Sequence, residues 1–133
     1  MDALITALLG AALALGLIAV VRRRGTRSEM VVYACGLSVA AGLYVLFAVA
    51  YVSPHWLMLE TAGFLLFTGF AWLGFRRSTS LLAAGWAFHV AWDVLLHGPQ
   101  GAPYPPEWYP EVCVGFDLVL AAYIFRWLDG HRV

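Results

Sequence analysis

The chain has 133 residues, 62% of them apolar and 12% charged, with a mean hydropathy of +0.79 and a formal net charge of zero. Soluble domains do not carry that apolar share, and the apolar runs leave no room for a nucleic-acid module or a long linker. An integral membrane protein remains, with membrane lipid as its expected partner, no nucleic acid, and homo-oligomerisation left open.

Hydrophobic runs between short polar breaks predict five transmembrane helices at about 3–21, 30–52, 56–75, 81–97 and 110–128. Each is close to the ~20 residues needed to cross a hydrocarbon core about 30 Å thick. Five such helices fill most of the chain, so residues 1–133 read as a single all-α polytopic membrane bundle with no room for a soluble domain.

The first run follows Asp2 and precedes Arg22, Arg23 and Arg24, the reverse of the charge order in a cleaved export signal. It reads as a retained helix, and Gly10, Ala11, Ala12 and Gly16 give it a small-residue face suited to close packing in lipid. All eight basic residues are arginines: 22, 23, 24 and 27 after the first run, 76 and 77 after the third, 126 and 132 at the end of the fifth. In a five-span arrangement they share one side. Basic residues are retained on the cytoplasmic side, so the N-terminus is expected outside and the C-terminus in the cytoplasm, in a cytoplasmic membrane. Topology accounts for the RRRGTR loop, which is also placed to meet anionic lipid headgroups. Glu29 and Asp129, near these arginines, read as surface charges.

Ser53-Pro54 reads as an N-cap with proline in the first turn of the third helix. The stretch GPQGAPYPPEWYP reads as a loop until about Glu107, with Pro110 tolerable only in the first turn of the fifth helix. Trp56, Trp108 and Tyr109 suit an outer aromatic belt.

The fourth helix carries HVAWDVLLH, which sets His89, Asp93 and His97 at i, i+4 and i+8 on one face, with Trp92 and Leu96 pointing elsewhere. At ~1.5 Å per residue, His97 lies at the mouth, Asp93 about one turn down and His89 about two; Glu60 lies roughly 9 Å and Asp117 roughly 10 to 15 Å below the outer ends of their own helices. Ionisable groups at such depth cost about 2.5 to 3.5 kcal/mol each on insertion scales, so the five should face the bundle interior and one another. The two histidines stand ~12 Å apart along the axis, too far for one ion with bonds near 2 Å. The expected inner set is therefore His89, Asp93, Glu60 and Asp117, with His97 at the entrance and His55 a further mouth residue.

Imidazole and carboxylate donors suit zinc, manganese, iron or copper, zinc foremost, and a water in an open position would become a nucleophile. On that reading His89, Asp93, His97, Glu60 and Asp117 hold metal, Glu60 and Asp117 double as catalytic groups, and the substrate is a lipid or other apolar molecule from the outer leaflet. Two alternatives stand beside it. One is a small metal-ion or proton-linked transporter, against which the apolar cytoplasmic halves of the spans count. The other is a structural or partner-binding subunit whose polar groups form an internal hydrogen-bond network. Cys113, one turn above Asp117, reads as a small apolar residue first, with a soft ligand or a nucleophile next to His89 as alternatives, and Cys35 is too far away in depth for a disulfide with it. Tyr44 and Tyr51 on the second span are within reach of the site as hydrogen-bond donors, although tyrosines near an interface need no such role.

The segments GWAFHVAWDVLLHG and PEWYP with GFDLVLAAY, between Gly85 and Tyr123, resemble those of a family of small bacterial integral membrane proteins of unassigned function. The resemblance covers most of the chain and brings no activity with it. A looser similarity links the chemistry to intramembrane metal-dependent hydrolases of the ceramidase and adiponectin-receptor type. Those have more spans and a fuller histidine set.

Overall fold

The computed structural model describes residues 2–51 and 53–128. Five helices follow one another: α1 (Ala3–Val21), α2 (Thr26–Tyr51), α3 (Pro54–Arg76), α4 (Thr79–His97) and α5 (Trp108–Tyr123). A 3₁₀ turn at Arg22–Arg24 links α1 to α2, and α5 runs on as a π-helical turn at Ile124–Leu128. No strand occurs among the described residues. Four helices, α1 to α4, are long and apolar enough to cross a membrane. The expected Asp129 lies outside the described residues.

The helix starts follow local chemistry. Asp2 Oδ1 accepts the Leu4 amide at 3.0 Å, capping α1 and satisfying a donor that has no partner within the helix. Gly25, at φ 93°, takes the left-handed conformation that lets the chain reverse into α2, so α2 begins four residues earlier than the hydrophobic run suggests. Pro54 opens α3, as expected, while the Ser53 side chain makes no capping bond. Pro110 is the third residue of α5, where its missing N–H is harmless.

The faces are inverted relative to a soluble protein. Leu4, Leu8, Leu13, Met58, Leu65, Trp72 and Leu95 are all exposed, whereas Glu60, His89, Asp93 and Asp117 are at most 1% exposed. Large apolar surface outside and polar groups inside suit lipid as the surrounding medium. In α1 the inward stripe is Thr6, Gly10, Ala14, Ile18 and Val21. Gly10 faces the Val112 carbonyl of α5 and Gly115 faces the Ala7 carbonyl of α1, so that a β-carbon on either would collide with backbone. Backbone contact of this kind is how helices associate where no hydrophobic force draws them together. Gly16, expected to share this seam, meets open space.

The bundle has two interiors. At the arginine-bearing end, Tyr33, Leu37, Phe67, Leu82, Trp86, Leu120 and Ile124 form an apolar core. At the other end, beneath the loop between α4 and α5, the interior is polar. We call these the basic face and the loop face. Glu29 departs from the expected surface charge: it is 5% exposed, and its Oε2 accepts hydrogen bonds from Tyr33 at 3.1 Å and Tyr123 at 2.8 Å. Its place in the first turn of α2 set it beside arginines in sequence, but the turn at Gly25 rolls it under α5.

Candidate metal centre

All three members of the α4 stripe are buried, as their spacing requires. They do not serve one site. His89 Nδ1 lies 2.6 Å from Asp117 Oδ2 on α5 and 3.5 Å from Asp93 Oδ2 one turn along α4. The Tyr44 hydroxyl of α2 donates to Asp93 Oδ1 at 2.5 Å. Two helices, α4 and α5, thus contribute the triad of His89, Asp93 and Asp117, in which one donor atom from each residue lies within 4.8 Å of the other two, and α2 braces it through Tyr44. Phe67 meets the His89 ring edge-on at 4.9 Å between centroids and closes the side toward the apolar core.

Glu60 belongs elsewhere. Its Oε1 contacts His97 Nε2 at 2.9 Å and accepts the Tyr104 hydroxyl, while its Oε2 accepts from Trp92 Nε1 at 3.1 Å. The expected inner set of four is therefore a set of three, with Glu60 displaced to an outer pair with His97. Depth below the helix ends grouped Glu60 with His89, Asp93 and Asp117, but the rotation of α3 about its axis aims it at the Trp92 and His97 side of α4. There Gly63, one turn along α3, leaves room for the Trp92 indole to lie flat against the helix. Trp92, expected to point away from the polar face, reaches Glu60 for the same reason.

Tyr44 joins the two clusters. Its hydroxyl holds Asp93, and its ring stacks on His97 with 3.9 Å between centroids and 10° between planes. Tyr109 on α5 packs edge-on against Tyr44 and donates to the Ala40 carbonyl at 2.9 Å, tying α5 to α2. Cys113 packs with Tyr44 and Tyr109 and falls outside the triad. His55 is exposed and packs against Trp56 at the loop face. Tyr51, expected as a hydrogen-bond donor, instead packs against Tyr104 at 5.7 Å.

Tyr104 and Trp92 were not legible in the sequence as site residues. The only available signal was that both can donate a hydrogen bond and lie near the mouth of α4. Tyr104 sits in the loop among Tyr51, Trp56 and His97. Burial and the adjoining Glu60 carboxylate raise its phenol above the usual tyrosine range, so it remains a donor at neutral pH.

Access comes from the loop face. A cavity of about 630 Å³ is bounded by the Gly98–Pro105 loop, Pro110, Glu111 and Val114, and Asp93 and His97 lie on its wall. Behind Asp93, three buried atoms of the triad, His89 Nε2, Asp93 Oδ2 and Asp117 Oδ1, have no hydrogen-bond partner among the described residues. Two buried carboxylates face one imidazole there, and among the described residues no arginine pairs with them. Even a protonated His89 offsets only one of the two negative charges.

These features define an apolar helical protein of membrane type with a buried His/Asp triad near one end of the bundle. Across residues 2–130 the chain matches a family of unknown function, DUF6010, and it belongs to that family. No curated protein and no solved structure matches it.

Proposed function

We propose that this is an integral membrane protein that binds a divalent metal ion at His89, Asp93 and Asp117. The observation carrying this reading is two fully buried carboxylates beside one imidazole, a set that when ionised has surplus negative charge, with one donor atom of each residue within 4.8 Å of the other two. In a low-dielectric interior that surplus calls for a cation or a proton, and a metal ion is the occupant that uses all three side chains. His89 would hold the ion through a ring nitrogen and Asp93 and Asp117 through a carboxylate oxygen each, donor types that suit zinc. Zinc leads for this donor set, with manganese and iron as competitors. All five helices cross the membrane in this reading, with the arginines cytoplasmic and the triad opening to the outside.

The 630 Å³ cavity favours a second, finer reading, a metal-dependent hydrolase. An ion held by the triad would supply an activated water as nucleophile; Asp93 lies on the cavity wall, Glu60, paired with His97, would move protons, and a lipid or other apolar substrate would enter from the outer leaflet. A carrier fits less well. Beneath His89 the interior is Phe67, Trp86, Leu82, Leu37 and Leu120, which offers an ion no polar path toward the basic face. The direct test is elemental analysis of the purified protein beside Asp93→Ala and Asp117→Asn. One metal per chain, lost in both variants, supports the site. A folded wild type that takes up no zinc, manganese or iron overturns it. Lipid turnover against ion flux in reconstituted vesicles then separates enzyme from carrier.

A further inference from the structure

A second cavity, at the opposite end of the bundle from the triad, has its own chemistry. About 860 Å³ lies between α1, the start of α2 and the end of α5. One part of its wall is apolar, with Leu15, Ile18 and Val119, and the other carries Arg22, Arg126 and Glu29. The chain opens this space through the π-helical turn at Ile124–Leu128, which carries Arg126, Trp127 and Leu128 into the wall; π turns inside helices frequently mark functional sites. Glu29 does not neutralise both arginines. One carboxylate against two guanidiniums leaves one positive charge, and Glu29 is already occupied by the Tyr33 and Tyr123 hydroxyls.

Among the described residues the lining carries two guanidiniums and one carboxylate beside an apolar wall, at the level where helices end in arginines, and this pattern matches one occupant in its chemistry. We infer that the cavity holds an anionic phospholipid, with the phosphodiester between Arg22 and Arg126 and an acyl chain along Leu15, Ile18 and Val119. Guanidinium forks suit phosphate oxygens, and basic pockets between membrane helices are where anionic headgroups bind. A zwitterionic headgroup would bring an ammonium against the same arginines. Free phosphate would use the arginines but leave the apolar wall uncovered.

The test uses the full-length protein in detergent, with fluorescence of the tryptophans, Trp127 lying on the cavity wall, read during titration. The probes are dioctanoyl phosphatidylglycerol, dioctanoyl phosphatidylcholine and inorganic phosphate. Phosphatidylglycerol should bind at least ten-fold more tightly than either of the others. Arg22→Gln with Arg126→Gln should weaken it at least ten-fold, whereas Arg23→Gln with Arg24→Gln, which lie off the cavity, should leave it unchanged. Ala122→Phe, which fills the space and keeps both charges, should weaken it as well. Equal binding of the two lipids overturns the inference, as does inorganic phosphate binding as tightly as the anionic lipid. So does undiminished affinity in Ala122→Phe. If the paired arginine variant does not fold, the wild-type lipid comparison and Ala122→Phe decide the matter alone.

Discussion

Replacing Tyr44 with phenylalanine removes a single oxygen from the centre of the site. The hydroxyl donates to Asp93 Oδ1 at 2.5 Å in a fully buried setting, while the ring's stacking on His97 at 3.9 Å needs no hydroxyl. A hydrogen bond to a charged acceptor contributes about 1.5 to 3 kcal/mol in soluble proteins, whereas interhelical bonds within membranes average nearer 0.6 kcal/mol. The Asp93 carboxylate is enclosed by protein, so the expected loss of stability is about 1 to 2 kcal/mol. The effect on the proposed metal site is the sharper one. Groups that orient a ligand typically change metal affinity 10- to 100-fold, and Tyr44→Phe should weaken zinc binding by that factor in a chelator competition assay. Tyr109→Phe is the control: it loses a bond to the Ala40 carbonyl, touches neither carboxylate, and should cost about 1 kcal/mol of stability with affinity unchanged. Zinc affinity in Tyr44→Phe within two-fold of wild type would refute the claim that Tyr44 orients Asp93 for an ion.

Glu60→Gln should leave metal stoichiometry intact, because Glu60 pairs with His97 and not with the triad, while lowering the thermal midpoint through weaker contacts to His97, Trp92 and Tyr104. Metal lost in that variant would move Glu60 into the coordination sphere. Gly115→Leu should cost about 2 to 3 kcal/mol in a denaturant titration, since the new side chain meets the Ala7 carbonyl, which cannot yield without parting α1 from α5. The Tyr104 contact should be pH-sensitive on the alkaline side only. Its phenol is raised above the ordinary value of 10.0, so the folded state holds that proton more tightly than the unfolded chain does. The stability it adds is complete at neutral pH and declines as pH rises above about 10. Tyr104→Phe should therefore be less stable than wild type at pH 7, with the difference shrinking at higher pH; an unchanged difference would remove the linkage.

Hydrophobic run length made the helices legible, and a spacing of four made the buried stripe of α4 legible too. Arginine placement separated the two ends of the bundle. Azimuth was what the sequence withheld. Helical rise places Glu60, Asp93 and Asp117 at comparable heights, but height does not say which way a helix is turned. Gly63 and Trp92 turned Glu60 toward His97, and no pattern within α3 announces that. Glu29 misled for a related reason, since proximity to arginines in sequence is not exposure once Gly25 has redirected the chain. Tyr104 lies in a loop without periodicity, where position is fixed only by what the loop packs on. Tyr44 was legible as a donor, because a tyrosine in the loop-face half of α2 has few other groups to reach.

The most direct measurement is a crystal of the protein grown with zinc, with diffraction collected at the zinc absorption edge. An anomalous peak about 2.0 to 2.2 Å from a nitrogen of His89 and from oxygens of Asp93 and Asp117 is the predicted result. A peak at exposed His55 or nowhere in the chain, with the triad still hydrogen-bonded as described, would contradict the account.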